Sequence, residues 1–376
     1  MNAVSGARGA LRVLIAAGGT GGHIFPALAV AQELRSRCAP GKGAERAACR
    51  VEFVGTGRGL ESRIIPGAGF PVHTVAAAGL KGMGASRLVR NVLVLPNSFW
   101  QTGRLLRRFR PNVVVGLGGY VAGPVVLQAA LARIPTLLIE PNAAPGFTNR
   151  ILAPWIQLAA LGFKEAAPFY GSKARITGHP IREVFNRIPP KVHKPPFVIF
   201  ISGGSQGSVA INSAVVGALQ FFKQQPGQFR IIHQTGERDF DRVRRAYSEV
   251  GIEAEIYSFV DDLASVFKRS DLVVCRSGAS TVAELAAAGK ASVLVPFPAA
   301  TDNHQLANAR VLEKAGGARV IEQRHLTPAS LYDKISTLVE TTWILEGMER
   351  SVRTLAHPEA AARIATLIEE LAAQRN

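Results

Sequence analysis

The chain has 376 residues, of which 47% are apolar, so its length and composition predict two folded domains and exclude a disordered protein. It carries 44 Lys and Arg against 27 Asp and Glu, and the net charge of +17 indicates an anionic partner. The charge is uneven, because residues 1–190 hold 23 basic and 7 acidic side chains, whereas residues 191–376 hold 21 and 20. Three scattered cysteines exclude a disulfide scaffold and a zinc ribbon.

Short apolar runs alternate with helical patterns along the chain, which predicts parallel sheets covered by helices. In chain order, the predicted strands are RVLIAA, VEFVG, NVVVGL and TLLIE, then FVIFIS, FRIIHQTG, DLVVCR and SVLVPF. Residues 111–132 carry no charge over 22 positions, a length that could span a membrane. Glycines interrupt that stretch midway, so it is interpreted as a strand, a glycine-rich turn and a helix.

The chain repeats one unit at an offset of about half its length. Residues 12–34 and 197–219 both have the pattern of a buried strand, a GG[TS]xG turn and an amphipathic helix. Two copies predict an α/β protein of two doubly wound, Rossmann-like domains with parallel sheets, facing each other across a cleft. We expect the domains to be residues 1–180 and 181–356, joined through the proline-rich residues 187–196. The last amphipathic segment, 357–376, could pack on either domain, including back on the first.

Both glycine-rich turns suit a phosphate, because a following helix presents free N–H groups and a partial positive charge. The alternative is a tight strand–helix turn without a ligand. Neither turn matches the dinucleotide fingerprint or a Walker A loop, which disfavours a dehydrogenase and a P-loop NTPase. The first turn ends in His23, which is either structural or, as a neutral imidazole at a helix N-terminus, a general base.

The second half contains polar residues that also allow two interpretations. Thr281 and Glu284 fit a helix capping box, but Glu284 could instead accept hydrogen bonds from a ribose diol. Arg182 either pairs with a pyrophosphate or is solvated. The acidic pair Asp239 and Asp241 resembles a metal-binding DxD but is interpreted as a solvated face of a helix.

Five motifs occur in order along the chain: GGTGGH, GLGGYVAGP, GGSQG, CRSGASTVAEL and DNHQLANA. Together they closely resemble the MurG family, the N-acetylglucosaminyltransferases of peptidoglycan synthesis. The resemblance implies a GT-B fold whose second domain binds UDP-GlcNAc and whose first domain binds undecaprenyl-linked lipid I. It implies an inverting transfer of GlcNAc to the C4 hydroxyl of lipid I, which gives lipid II and UDP. We expect neither a metal nor a cofactor.

The resemblance also implies roles for individual residues. It places His23 near the acceptor and the reacting centre, where His23 is the first candidate for the catalytic base and could equally bind the acceptor pyrophosphate. The implied donor-binding residues are Thr20, Gly21, Gly22, Asn142, Arg182, Ser205, Gln206, Val260, Ala279, Ser280, Thr281, Glu284, His304 and Gln305. The implied acceptor and phosphate loops contain Gly18, Gly19, Gly118, Gly119 and Tyr120. The chain departs from the family at Pro141, where glutamine is usual, and at His179, where asparagine is usual.

Residues 79–110 mix large apolar side chains, including Trp100, with seven basic ones. This composition suits an interface with anionic lipid, and the resemblance implies peripheral binding to the cytoplasmic face of the inner membrane. The alternative is a core helix with a solvated basic edge. Cell-wall synthesis proteins are possible further partners. Nucleic acid is not expected as a partner, because no recognition motif is present and aromatic residues are only 7%. The alternative function is that of another GT-B UDP-sugar enzyme, either a lipid glycosyltransferase or a UDP-GlcNAc 2-epimerase.

Overall fold

The structure is a computed structural model that describes residues 10–18, 21–38, 49–57, 61–76, 95–300 and 303–374. The chain divides into two compact units. The first unit is Met1–Ile181 together with Glu359–Asn376, and the second unit is Arg182–Pro358.

Seven parallel strands form the sheet of the first unit in the described part of the chain, in the order β3-β2-β1-β4-β5-β6-β7. They are β1 (Leu11–Ala16), β2 (Cys49–Gly55), β3 (Val72–Thr74), β4 (Val113–Gly116), β5 (Thr136–Glu140), β6 (Leu158–Leu161) and β7 (Ala174–Ile176). The α-helices in the described part of Met1–Ile181 are α1 (Gly21–Cys38), α2 (Glu61–Gly67), α3 (Leu95–Phe109), α4 (Gly119–Leu131), α5 (Phe147–Leu152) and α6 (Ala167–Tyr170). Central strands such as β4 are buried at every position, as expected for a parallel sheet with both faces covered.

The second unit repeats this arrangement with six parallel strands, in the order β10-β9-β8-β11-β12-β13. They are β8 (Phe197–Ser202), β9 (Phe229–Gln234), β10 (Ala254–Tyr257), β11 (Leu272–Cys275), β12 (Ser292–Leu294) and β13 (Ala318–Val320). Its helices are α7 (Val209–Lys223), α8 (Phe240–Val250), α9 (Leu263–Arg269), α10 (Ala279–Ala288), α11 (His304–Lys314), α12 (Pro328–Glu340) and α13 (Thr342–Arg353).

The predicted α/β fold with two parallel sheets is confirmed, and all eight predicted runs contain strands. Residues 111–132 form β4, a glycine turn and α4, as predicted. The pattern missed five strands that lie at or next to the sheet edges: β3, β6, β7, β10 and β13. Four of them have at most one buried residue and therefore lack the long apolar run of a central strand. Within the described ranges, no helix is long and apolar enough to cross a membrane.

The proline-rich segment 187–196 was predicted as the linker, and this prediction is wrong because the segment lies inside the second unit. Asp271 holds it there, since its carboxylate accepts hydrogen bonds from Lys191 and, at 2.8 Å, from His193 Nδ1. Prolines favour extended chain, and here that extended chain is fixed by buried charge.

The last helix, α14 (Ala360–Ala373), packs on the first unit. Ile364, Ile368 and Leu371 are buried in the same core as the apolar face of α1. Burial of each such side chain contributes about 1.5–3 kcal/mol. Arg37 of α1 adds a 2.7 Å hydrogen bond to the carbonyl oxygen of residue 362.

Candidate functional site

The carboxyl edge of the second sheet contains a topological switch point. β8 and β11 are adjacent and parallel, and the chain continues from them toward opposite sides of the sheet. Ligands of doubly wound folds bind at the carboxyl ends of strands at such a point. The GGSQG turn follows β8, and the Ser277-Gly278 turn follows β11, so the sequence places both predicted phosphate turns there.

The GGSQG turn, residues 203–207, is packed against the end of β9. A Cβ atom at Gly207 would lie 1.9 Å from the carbonyl oxygen of Thr235, and Gly207 has φ of +74°, so only glycine fits. Ser205 and Gln206, both predicted to bind the donor, lie exposed at the tip of the turn. Ser208 then caps α7, and its hydroxyl accepts a hydrogen bond from the N–H of Ile211.

The start of α10 does not have the capping box that is one of the two interpretations of Thr281 and Glu284. The helix begins at Ala279 after Gly278, so Thr281 is its third residue and not the capping residue. The capping-box interpretation of Glu284 is therefore wrong. Ala279, Ser280 and Thr281 form the first turn, as expected of residues that present free N–H groups to a phosphate.

Glu284 pairs instead with Arg182. Arg182 Nη2 donates to Glu284 Oε1 at 3.1 Å, and the Glu284 side chain is 12% exposed. Burial raises the pKa of Glu284, and the charge of Arg182 opposes this shift. Arg182 also stacks on Phe185, 4.8 Å from the ring centre to the guanidinium carbon. The two predicted donor-binding side chains are therefore in direct contact at the edge of the second unit.

The start of α11 brings two further predicted residues, His304 and Gln305, to the same edge. Gln305 Oε1 accepts a hydrogen bond from the N–H of Phe297 at 3.0 Å, so the amide NH₂ is the part of this side chain left for a ligand. Ser277 connects the turn after β11 to the start of α11, because its hydroxyl donates to the Gln305 carbonyl oxygen at 2.8 Å. Neighbouring Asp302 lies outside the described residues.

Arg276, which sequence reasoning did not single out, connects these turns beneath the surface. Its guanidinium donates to Ser208 Oγ at 2.6 Å and to Gln323 Oε1 at 2.8 Å. It also donates to the carbonyl oxygens of Val295 and Pro296. All four acceptors are neutral, and burial lowers the pKa of Arg276 to about 10. The signal in the sequence was an arginine directly after a buried strand.

Val260, one of the donor-binding residues that the resemblance implies, follows β10 at the same edge of the sheet. Its N–H donates to Gln234 Oε1 at 3.1 Å. The carbonyl oxygen of Val260 is therefore the backbone group best able to bind a base while this hydrogen bond is kept.

The first unit has its own switch point, between β1 and β4. Gly118 and Gly119 follow β4 with φ of +89° and +72°, and Tyr120 follows them, 54% exposed, in the first turn of α4. A Cβ atom at Gly118 would lie 3.7 Å from His23 Nε2, so the imidazole of His23 lies against this turn. Gly18 is buried after β1, and Gly21 and Gly22 begin α1. Gly19 and Thr20 lie outside the described residues.

Glu140 is a second residue that sequence reasoning missed. It ends β5, is 0% exposed and accepts hydrogen bonds from the N–H groups of Asn142 and Gly146, each at 3.0 Å. Asn149 donates to it at 2.8 Å, and the oxygen of Asn149 would lie 3.4 Å from a Cβ at Gly118. Burial raises the pKa of Glu140 against these hydrogen bonds. Glu140 therefore fixes the loop that carries Asn142 beside the turn that contacts His23.

The two departures from the family pattern fall in this region. Pro141 is buried directly after β5, and its oxygen would lie 2.9 Å from a Cβ at Gly162. His179 is 4% exposed, and burial, with a smaller effect of His23, lowers its pKa to about 3. His179 is therefore neutral at physiological pH.

The acidic pair at 239 and 241 is only partly as predicted. Asp241 is exposed, but Asp239 is buried, so the interpretation of both as a solvated face is wrong for Asp239. Asp239 accepts hydrogen bonds from Arg242 at 2.6 and 2.7 Å and from Asn212 at 2.7 Å. These contacts make Asp239 part of the framework behind the GGSQG turn.

Comparisons with known proteins agree with this architecture. Residues 13–160 match the model of the glycosyltransferase family 28 N-terminal domain, and residues 198–364 match that of its C-terminal domain. A UDP-N-acetylglucosamine--N-acetylmuramyl-(pentapeptide) pyrophosphoryl-undecaprenol N-acetylglucosamine transferase of Anaeromyxobacter sp. is 44% identical over 97% of this chain and 94% of its own.

Two solved structures match almost the whole chain. The crystal structure of Acinetobacter baumannii MurG matches with a TM-score of 0.78 and 32% identity, over 96% of this chain and 99% of its own. A UDP-GlcNAc 2-epimerase from Neisseria meningitidis matches with a TM-score of 0.67 and 15% identity, over 97% of this chain and 100% of its own. At that identity the second match shows the fold alone.

The two sheets, their glycine-rich turns and the matched domains define a glycosyltransferase with the GT-B fold. Full-length identity narrows this class further. The chain belongs to the MurG family of family 28 glycosyltransferases.

Proposed function

We propose that the second unit binds the sugar donor and that the first unit binds the acceptor. The chain transfers N-acetylglucosamine from UDP-GlcNAc to the C4 hydroxyl of the N-acetylmuramyl sugar of lipid I, with inversion, and gives lipid II and UDP. The observation that best supports the donor site is the Arg182–Glu284 pair, which lies in the unit whose sheet edge carries both phosphate turns.

Glu284 and Arg182 have complementary roles toward the donor. A carboxylate accepts several hydrogen bonds, so Glu284 can accept both ribose hydroxyls while it remains bonded to Arg182. Arg182 has five N–H donors, and those not used by Glu284 suit the diphosphate.

The diphosphate is held by two helix starts. The free N–H groups of the first turns of α7 and α10 favour negative charge, and Ser205, Gln206 and Ala279–Thr281 lie at these turns. Negative charge on the diphosphate grows as the bond from the anomeric carbon to the leaving oxygen breaks. Groups that meet this charge lower the barrier.

Polar side chains at the start of α11 and in the loop after β5 contact the sugar. The amide NH₂ of Gln305 donates to a GlcNAc hydroxyl, and His304 lies beside it at the start of α11. Asn142, held by Glu140 in the first unit, is a further contact of the sugar.

His23 is the general base of the transfer. The C4 hydroxyl of the acceptor attacks the anomeric carbon from the face opposite UDP, and His23 accepts its proton. Gly18, Gly118, Gly119 and Tyr120 form the surroundings of His23 that receive the acceptor.

The first unit reaches its lipid-linked acceptor by binding the cytoplasmic face of the inner membrane. In the described part of the basic segment, α3 exposes 60% of Trp100, and Arg104 lies 5.8 Å from its ring. Arg107 and Arg108 follow in the last turn of α3. An exposed tryptophan among arginines suits an interface with anionic lipid. Residues 79–94 of the predicted segment lie outside the described residues.

A UDP-release assay tests the proposed reaction. UDP should be released from UDP-GlcNAc only when a lipid I analogue is added, and the lipid product should gain one GlcNAc. Turnover of UDP-GlcNAc at the same rate without the analogue would instead indicate an epimerase or a hydrolase.

The donor role of Glu284 is tested separately. Glu284→Ala should weaken UDP binding by about 2 kcal/mol, roughly thirtyfold, because hydrogen bonds to a charged group are lost. Titration calorimetry with UDP measures this change. Glu183→Ala is the matched control, since it removes a carboxylate that follows Arg182 in the sequence but forms an exposed ion pair with Arg187. Equal UDP affinity in Glu284→Ala and wild type would exclude the ribose contact.

A further inference from the structure

Gln234, the last residue of β9, bridges two parts of the donor edge. Its Nε2 donates to the carbonyl oxygen of Gly204 at 2.9 Å, and its Oε1 accepts from the N–H of Val260 at 3.1 Å. Gln234 is 5% exposed. One buried amide thus joins the GGSQG turn after β8 to the segment after β10.

The orientation of this amide is fixed by its partners. The Gly204 carbonyl oxygen can only accept a hydrogen bond and the Val260 N–H can only donate one. A flipped amide would place oxygen against oxygen and N–H against N–H, and both part-buried backbone groups would lose their partner. Leaving such groups unsatisfied is costly, so Gln234 defines the separation of the two segments.

The two residues after Gln234 fill the space between the same segments. The N–H of Thr235 donates to the Tyr257 carbonyl oxygen at 2.9 Å, on the β10 side. On the other side, a Cβ atom at Gly236 would lie 2.4 Å from the Gln206 carbonyl oxygen. Residues 234–236 therefore lie between the GGSQG turn and the end of β10, in contact with both.

We propose that Gln234 is a positioning residue that sets the distance between the diphosphate turn and the base-binding backbone of Val260. This inference rests on the proposed binding of UDP by the second unit. A ligand that contacts both segments, such as UDP, gains from their fixed separation, whereas a ligand that contacts one segment does not. Gln234 acts in ground-state binding, so its loss raises KM for UDP-GlcNAc and leaves kcat unchanged.

Two substitutions in the full-length protein test the proposal. Gln234→Leu removes both hydrogen bonds at similar volume, and Gln234→Glu keeps the acceptor for Val260 but loses the donor to Gly204. Both should raise KM for UDP-GlcNAc and weaken UDP binding by about tenfold. kcat should stay within about threefold of wild type, and the affinity for uridine alone should change less than that for UDP.

Gln157→Leu is the matched control. Gln157 Oε1 accepts hydrogen bonds from the N–H and hydroxyl of Thr136, at 2.7 and 2.6 Å, at the amino end of β5. Gln157→Leu should leave KM for UDP-GlcNAc at the wild-type value. A structural role of Gln234 alone would lower the melting temperature and the folded fraction, and KM would not move.

The outcomes separate this inference from the proposed function. If wild type neither binds UDP nor turns over UDP-GlcNAc, the proposed function fails. If wild type does both and a folded Gln234 variant keeps KM within about twofold, the positioning role is overturned. Should Gln234→Leu not fold, Gln234→Glu carries the test, because its side chain has the same shape.

Discussion

The fourth strand of each sheet shows how the two units differ. The residue before that strand is Asn112 in the first unit and Asp271 in the second, and each accepts a hydrogen bond from the N–H of the neighbouring strand, at 2.8 and 2.7 Å. Just after the strand, the first unit has the buried Leu117, and the second unit has the half-buried Arg276. The same backbone framework is therefore neutral in one unit and charged in the other.

The net charge shows the opposite difference, because the excess of basic residues lies in the first unit. The first unit contains 23 basic and 9 acidic residues, and the second contains 21 and 18. In the first unit, basic residues such as Arg104, Arg107 and Arg108 are exposed on α3. The excess charge of the chain therefore lies in the first unit, where it suits an anionic surface, whereas basic and acidic side chains nearly balance in the second unit.

The difference between the neutral and the charged framework is tested most strongly by replacing Arg276 with leucine, the residue at the corresponding position, Leu117, of the first unit. Arg276→Leu should lower the free energy of unfolding by about 3 kcal/mol, because four part-buried acceptors lose their charged donor. Urea denaturation measures the change. Arg269→Leu, which removes an exposed bidentate pair with Glu255, should cost less than about 1 kcal/mol. An equal loss of unfolding free energy in the two variants would show that Arg276 stabilises the protein no more than the exposed Arg269 does.

The catalytic contrast between the units is tested at His23. His23→Ala should lower kcat about 100-fold, the scale of a lost general base, and leave UDP binding unchanged. A quenched-flow or steady-state assay with a lipid I analogue measures kcat, and calorimetry measures UDP binding. A kcat within about threefold of wild type would exclude His23 as the base.

The strands, the two-unit repeat and the positions of the glycine-rich turns at strand ends could be predicted from the sequence, because long apolar runs and glycine turns are local signals. The role of Glu284 was left undecided, because its partner Arg182 is about 100 positions away. Arg276, Gln234 and Glu140 were missed for the same reason, since each is defined by partners on other strands. Local pattern gives the elements, whereas these side chains gain their function from the order of strands in the sheet.

The charged residues around Asp271, just before β11, should also make the stability of the protein depend on pH. His193 is 0% exposed and contacts Asp271 at 2.8 Å and Glu349 at 3.4 Å. Burial alone would lower the pKa of His193, but these carboxylates outweigh it and raise the pKa to about 9. The folded state keeps the proton above the unfolded pKa of about 6.5, so the stabilisation is complete below that pH and is lost as pH rises through about 9.

His193→Gln isolates this effect. The stability of wild type minus that of the variant should fall by about 3 kcal/mol between pH 6 and pH 10. Lys290, whose pKa is lowered by burial in the same cluster, is present in both proteins, so its titration largely cancels in the difference. Thermal unfolding at a series of pH values measures the difference, and a constant value across this range would contradict the predicted titration.

The smallest expected effect concerns the exposed charge of the first unit. Arg104→Gln should weaken binding to vesicles with anionic lipid by about 1 kcal/mol, roughly fivefold, because one cation near the surface is lost. Arg350→Gln is the control, since Arg350 is similarly exposed, at 74%, but belongs to the second unit. Co-sedimentation at increasing anionic lipid content measures both variants. If the two variants bind equally, or if wild type binds neutral vesicles as well as anionic ones, the excess charge of the first unit does not serve the membrane.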